Sequence, residues 1–338
     1  MSHDLHIDRW IKDLPRTFGD IAADIEAQGA DGIWTAESTH SALGMAYLAA
    51  DNTEEITVGT RISLAFVRSP MATAYAAWDL AHYSRGRFVL GLGTQVRAHN
   101  ERRYGVEWDS PGPRLREVIR AIRHIWDVWQ GRADELEFAG DFYEFSLMTE
   151  NFDPGPIDHP DIPIFIAAIN EYNVRTAGRM CDGILLHPFN SPSYVNEHVI
   201  PHLEAGASAA SRSLDAVTVS ASPFVITGST DEELAANREQ VRRRIAFYGS
   251  TPDYRPVLEH HGWDDKHDRL HELSREGAWD AMADVVPDAM LDDYAIEAPL
   301  SEIESHVADA YDGVADRVVV SADPTGKRGV YNGIYVQP

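Results

Sequence analysis

An α/β fold, a (β/α)8 TIM barrel with insertions, is predicted for these 338 residues by three observations. Short β-branched runs alternate with longer segments of helical periodicity, giving eight βα units of parallel-sheet character. The length exceeds one ordinary domain of roughly 100–200 residues but suits a single barrel with insertions. No Gly-x-Gly-x-x-Gly turn follows the first strand, which argues against the alternative, a doubly wound open sheet.

The elements follow in order. Leu5-His6-Ile7 is a weak first strand. Leu14 to Gln28 carries Leu14, Phe18, Ile21 and Ile25 at helical spacing, and Gly29 stands where that helix ends. Gly32 to Thr35 is the second strand, followed by a short helix from Ser41 to Ala50. Ile56 to Ala65 is the β-branched third strand. Pro70, a favoured first-turn residue, precedes a helix over Met71 to Ser84. Arg87 to Leu92 is the fourth strand.

Arg114 to Gln130 is the clearest amphipathic helix, with Leu115, Val118, Ile119, Ile122, Ile125, Trp126 and Trp129 on one core face. Residues 138–145 suggest a hairpin outside the barrel. Ile164 to Ala167, Asp182 to Leu186, Ala216 to Ile226 and Arg317 to Ser321 are strands five to eight. Helices fall over Val174 to Met180, Ser193 to Ala209, Asp231 to Phe247 and Pro299 to Tyr311. The whole chain, 1–338, reads as one barrel domain, with a helical, His-, Asp- and Trp-rich insertion at 249–298 near the barrel mouth.

Composition bounds the function. Apolar residues are 44% of the chain, enough for a large core. No run of about 18 apolar residues exists, so no membrane helix is expected. The polar stretch Met1 to Trp10 lacks the basic-then-apolar pattern of a signal peptide. Cys181 is the single cysteine, which rules out an intrachain disulfide and a cysteine-rich metal site. These features point to the cytoplasm. Asp and Glu total 54 against 29 Lys and Arg, a net charge of −25. Such a surface repels nucleic acid and anionic membranes. Lysine occurs only at Lys12, Lys266 and Lys327. Abundant carboxylates with few lysines suit a halophilic cytoplasm, where molar salt screens charge beyond roughly 3 Å.

Chemistry on a barrel sits just beyond the C-terminal strand ends. Glu37, Ser38, Thr39 and His40 follow the second strand; Arg68, Ser69 and Pro70 follow the third. Gly93, Thr94 and Gln95 close the fourth, Ala167, Ala168, Ile169 and Asn170 the fifth, and His187 and Pro188 the sixth. Glycines there allow close approach of a flat or phosphorylated ligand. No lysine is present for a Schiff base and no dense carboxylate pair for a glycosidase. An imidazole titrates near neutral pH, so His40 is the first candidate proton donor or acceptor and His187 the second. Glu37 either orients His40, binds substrate, or caps the following helix. Asn170 reads as a helix N-cap that would also suit a phosphate. Arg97, Arg102 and Arg103 either meet an anionic ligand or form solvated ion pairs. His260, His261, Asp264, Asp265, His267 and His271 lie within a dozen residues, and His267 and His271 share a helix face at a metal-ligand spacing, but no His-Glu-x-x-His is present. A solvated, His-rich insertion without metal is the expectation there.

The segment Ser84-Arg85-Gly86-Arg87-Phe88-Val89-Leu90-Gly91-Leu92-Gly93-Thr94 resembles the "SGGRFxLGLGxG" stretch of the luciferase-like monooxygenases and their deazaflavin-dependent relatives. Arg114, Glu117 and Ile122 to Trp126 resemble that family's "R…E…LRxLW" helix. Ala177-Gly178-Arg179 with Cys181-Asp182-Gly183 resembles its turn before the sixth strand. The resemblance extends from about Gly29 to Ser321 and is nearest to the subgroup using coenzyme F420, an 8-hydroxy-5-deazaflavin. It implies an oxidoreductase transferring hydride to or from a small organic substrate, such as a pterin-like carbon carrier, an alcohol or an activated alkene. The alternatives are an FMN-dependent monooxygenase supplied by a flavin reductase, and a non-catalytic flavin-binding barrel.

The resemblance further implies a non-prolyl cis peptide at Arg61–Ile62, where arginine replaces the family's usual small residue. It implies cofactor contacts from Arg61, Ile62, Ser63, Gly93, Thr94, Gln95, Ala167, Ala168, Ile169, Asn170 and His187, catalysis by His40 and Glu37, no metal, and a homodimer.

Overall fold

The computed structural model describes residues 5–321. Met1 to Asp4, part of the polar N-terminal stretch, and Lys327 lie outside the described residues. The barrel strands are β1 (His6–Ile11), β2 (Gly32–Thr35), β3 (Thr57–Thr60, resuming as Ser63–Leu64), β4 (Phe88–Gly93), β5 (Ile164–Ala167), β6 (Gly183–Leu185), β7 (Thr218–Ala221) and β8 (Arg317–Ser321). Their order in the sheet is β3-β2-β1-β8-β7-β6-β5-β4, and β3 pairs with β4 to close the circle. The fold is a (β/α)8 barrel. Among the described residues no helix is long and apolar enough to cross a membrane.

Two compact units divide the described chain: residues 12–167 with 180–183, and residues 5–11, 168–179 and 184–321. The first unit holds β2 to β5. Its pairs are parallel, with Val58 opposite Phe88 and Leu90 opposite Ile164. Large and small side chains alternate to fill it. Trp34 lies 5.9 Å from Phe165 between ring centroids. A Cβ on Gly59 would sit 2.5 Å from the Trp34 ring, and one on Gly183 would sit 2.7 Å from Phe165. Glycine is therefore what allows these aromatics inside. The helix Pro111–Trp129 buries Leu115, Val118, Ile119, Ile122, Ile125, Trp126 and Trp129, the face its spacing predicts. Its Glu117, also buried, accepts the N–H groups of Asp141, Phe142 and Tyr143 at 2.6–2.8 Å. That clasp holds the antiparallel hairpin of Phe138–Ala139 and Glu144–Phe145.

The second unit holds β1, β7 and β8, with His6 and Ser220 both opposite Arg317. The first strand is longer than expected, because Asp8 is buried on it and paired to Arg317 through two hydrogen bonds of 2.6 and 2.8 Å. A carboxylate hidden this way breaks the apolar pattern from which strands are read. Several further boundaries differ from expectation, two of them with a clear cause. The first helix starts at Phe18, since Pro15 begins a turn that Phe18 closes by hydrogen bond. The seventh strand stops at Ala221. Pro223, with no N–H, interrupts the ladder, and Phe224–Ile226 pairs instead with Ala295–Glu297. Within 249–298 the helices are Arg255–His260, Asp264–Glu276, Trp279–Met282 and Asp288–Tyr294. His267 is buried and His271 half-buried. Their Nδ1–H groups donate to the carbonyls of Gly249 and Ser250 at 2.7 and 2.9 Å. They thus cap the C-terminal end of helix Asp231–Gly249, whose last carbonyls lack helical partners.

Candidate active site

In the first unit the predicted residues Glu37, Arg61, Ile62, Ser63 and Gly93 come together. The Arg61–Ile62 peptide is cis and lies in the break of β3. The Arg61 N–H donates to the Thr35 carbonyl at 2.6 Å, and the Glu37 N–H to the Ile62 carbonyl at 3.1 Å. The Glu37 carboxylate reaches back to the same turn. It accepts the Leu64 N–H at 2.9 Å, the Ser63 hydroxyl at 3.4 Å and both ends of the Arg68 guanidinium. The Glu37 side chain is 6% exposed and that of Arg68 26%. The carboxylate holds the Arg68 guanidinium above its ordinary value, against the opposing effect of burial. Glu37 does not cap the following helix, whose first turn is capped by the Ser41 hydroxyl. Its oxygens are spent on the bend in β3, and no hydrogen bond links it to His40. Arg68 was legible only as part of the Arg68-Ser69-Pro70 loop.

The fourth strand ends against this bend. The Thr60 hydroxyl donates to the Gly91 carbonyl and accepts the Gly91 N–H, at 2.8 and 2.9 Å. A Cβ on Gly93 would fall 2.0 Å from Ile62 Cδ1 and 3.5 Å from the Ala167 Cβ. Gln95 takes a positive φ of 59°. The amide of buried Asn100 donates to the carbonyls of Thr94 and Val96 at 2.9 and 3.1 Å, fixing the loop. Two buried polar atoms here have no partner among the described residues: the Ser38 hydroxyl and the Asn100 carbonyl oxygen. A buried polar atom left unpaired costs about 1–3 kcal/mol, and a ligand is one way to satisfy it. Small residues at Gly93, Thr94 and Ala167 beside two unsatisfied polar atoms fit the polar edge of a flavin-type ring. His40 is exposed on the loop after β2 and stands apart from the Glu37 cluster.

The loop after β4 continues into helix Arg97–Arg103. Arg97 faces Glu101 at 3.6 Å with both side chains exposed, and Arg103 donates to the Ser38 carbonyl. Arg102 is exposed and has no acidic partner among the described residues.

The second unit holds the remaining predicted residues. Ala168 is buried, and its N–H donates to the Leu185 carbonyl at 3.4 Å. Ile169 is half-buried. Asn170 caps helix Glu171–Met180 by accepting the Asn173 N–H at 2.9 Å. His187 accepts the Phe189 N–H on Nδ1 at 3.0 Å, which places the proton of the neutral ring on Nε2. Its ring contacts Tyr248 and Tyr254 at centroid distances of 4.4 and 4.7 Å. Burial drives the Tyr254 phenol well above its usual range. Arg244 lies 4.7 Å from the Phe224 ring, and burial pulls its guanidinium below the ordinary value. Sequence reading missed Tyr248, Tyr254 and Arg244. The run Arg242-Arg243-Arg244 was the available signal, because consecutive helical residues point different ways. Arg242 and Arg243 reach acidic partners, and Arg244 turns to the aromatics.

The chain is 43% identical over 300 residues to an uncharacterized protein of Mycobacterium tuberculosis, covering 89% of this chain and 88% of that one. It is 27% identical over 311 residues to the 5,10-methylenetetrahydromethanopterin reductase of Archaeoglobus fulgidus, covering 89% and 87%. Its fold matches the coenzyme F420-dependent tetrahydromethanopterin reductase of Methanopyrus kandleri with a TM-score of 0.75, at 22% identity, over 94% and 93% of the two chains. The family model for luciferase-like monooxygenases matches residues 10–317, and the chain belongs to that family.

Proposed function

We propose that this chain is an oxidoreductase that uses coenzyme F420 to move a hydride to or from a small organic substrate. One observation carries the preference for F420 over FMN. The helix that follows the Gly93-Thr94-Gln95 loop holds three arginines against one glutamate, in a chain of net charge −25. FMN offers a single phosphate, whereas the deazaflavin coenzyme carries a longer anionic tail. A basic helix leading away from the ring loop suits the longer tail, because several anionic groups need cations along their length. The relative from Archaeoglobus fulgidus is named a reductase, which supports the oxidoreductase part of this reading.

The bound coenzyme supplies the two-electron hydride chemistry. The chain's own residues do the rest. Glu37, neutralised by Arg68, holds the Ser63-Leu64 backbone so that the bend in β3 keeps its shape. Asn100 fixes the carbonyls of Thr94 and Val96. Ser38 and Asn100 each retain an unused polar atom for a ligand. His40, exposed and free of the Glu37 cluster, gives or takes the proton that balances hydride transfer at a substrate carbonyl or alkene.

The test is a titration in molar KCl, the condition the charge balance calls for. Quenching of tryptophan fluorescence is followed with F420 and, separately, with FMN. F420 is expected to bind more tightly. Charge reversal at Arg97 and Arg102 is expected to weaken F420 about tenfold at reduced salt and less in molar salt, since exposed pairs are each worth about 0–1 kcal/mol and are screened. Preference for FMN, or binding of neither by a folded sample, overturns the reading.

A further inference from the structure

The residues after β6 and the 249–298 insertion meet in a cluster that the proposed hydride chemistry does not use. Ser191 caps the short helix Pro192–Tyr194 by accepting the Tyr194 N–H at 3.1 Å. The chain then widens into a single π-helical turn, Val195–Val199. Such turns are rare and concentrate at functional sites. This one presents Glu197 and His198. Opposite stands His260, the last residue of helix Arg255–His260.

His260 Nδ1 lies 3.1 Å from His198 Nε2 and 3.9 Å from Glu197 Oε2, and the three ligand-type atoms lie within 4.8 Å of one another. Ligands at about 2.0–2.2 Å from a tetrahedral zinc ion are separated by about 3.3–3.6 Å, close to this spacing. The two imidazole planes stand at 90°, and Tyr194 stacks on His198 at 4.8 Å. His260 Nε2 is 2.9 Å from the Ser193 hydroxyl. A hydroxyl accepting that N–H leaves Nδ1 as a lone pair aimed at the other two groups, the usual arrangement behind a metal-bound histidine. A plain hydrogen bond between the two rings accounts for the 3.1 Å contact but gives the converging carboxylate no role.

We propose that Glu197, His198 and His260 bind one divalent transition-metal ion of the zinc class, with the fourth position left to water. Imidazole ligands select such an ion over magnesium or calcium, which the many surface carboxylates hold weakly. The ion ties the insertion to the segment after β6, and His187 and Tyr254 stand on those same two segments. The proposal is independent of the coenzyme reading, because metal binding is read without coenzyme or substrate.

The full-length chain is stripped with a chelator and titrated with ZnCl2 by calorimetry in molar KCl containing excess MgCl2. Co2+ replaces Zn2+ in a parallel sample read by visible absorption. One ion per chain is expected, with a rise in melting temperature and a visible Co2+ band. His198→Ala, at an exposed side chain that folding does not need, is expected to abolish the band and weaken Zn2+ by about 100-fold. Ser193→Ala, acting behind the ligand, is expected to weaken it about tenfold. Zn2+ binding that matches the folded His198→Ala variant, or that excess Mg2+ removes, overturns the site.

Discussion

Arg317→Ala is expected to lower the unfolding free energy by about 3–5 kcal/mol, because it strands a charge that folding has removed from water. Asp8 is fully buried on β1, and both its oxygens accept from Arg317 on β8 at 2.6 and 2.8 Å. The Arg317 side chain is only 12% exposed, so salt screens the pair little. The loss is therefore expected to persist in molar KCl, unlike that from exposed pairs such as Arg97–Glu101. Denaturant unfolding at two salt concentrations checks this. Asp8→Asn with Arg317→Ala should recover part of the loss, since the buried group on β1 is then neutral. A single variant that unfolds like the parent would show that water reaches Asp8.

His40→Ala is expected to lower kcat by about 100-fold or more, within the range of about 10²–10⁴ that general acid–base groups contribute. The coenzyme Kd should not change, because His40 is exposed and has no hydrogen bond into the Glu37, Ser63 and Arg68 cluster. Glu37→Gln behaves differently. It releases the Arg68 guanidinium and one acceptor of the β3 bend, so coenzyme affinity and stability fall together. Steady-state rates, beside fluorescence titration of both variants, separate a proton-transfer group from a positioning group. Unchanged kcat in His40→Ala with intact coenzyme binding would remove His40 from the chemistry.

The strand order and the outer helices were legible because their signals are local. Apolar spacing over Pro111–Trp129 needs no knowledge of what packs on it, and Ser69-Pro70 announces the next helix by its own chemistry. The placement of Glu37 and Gly93 at strand ends followed from the same periodicities, whereas Arg61 and Ile62, read as interior to the third strand, were singled out only by the family resemblance. The fate of their side chains did not. The Glu37–Arg68 pair spans 31 residues, and a carboxylate's partner is set by distance in space rather than by residue type. Asp8 was unreadable for a similar reason, since its burial depends on Arg317 across 309 residues. His267 and His271 carried a metal-like spacing yet serve as caps, while His260 of the same cluster meets Glu197 and His198 from a distant segment. Sequence alone thus determined the alternation of strand and helix and the family, because these rest on short-range geometry. Only the tertiary structure decided which polar groups neutralise one another and which stay free for a ligand, because burial and pairing energies arise between residues that the chain brings together from afar.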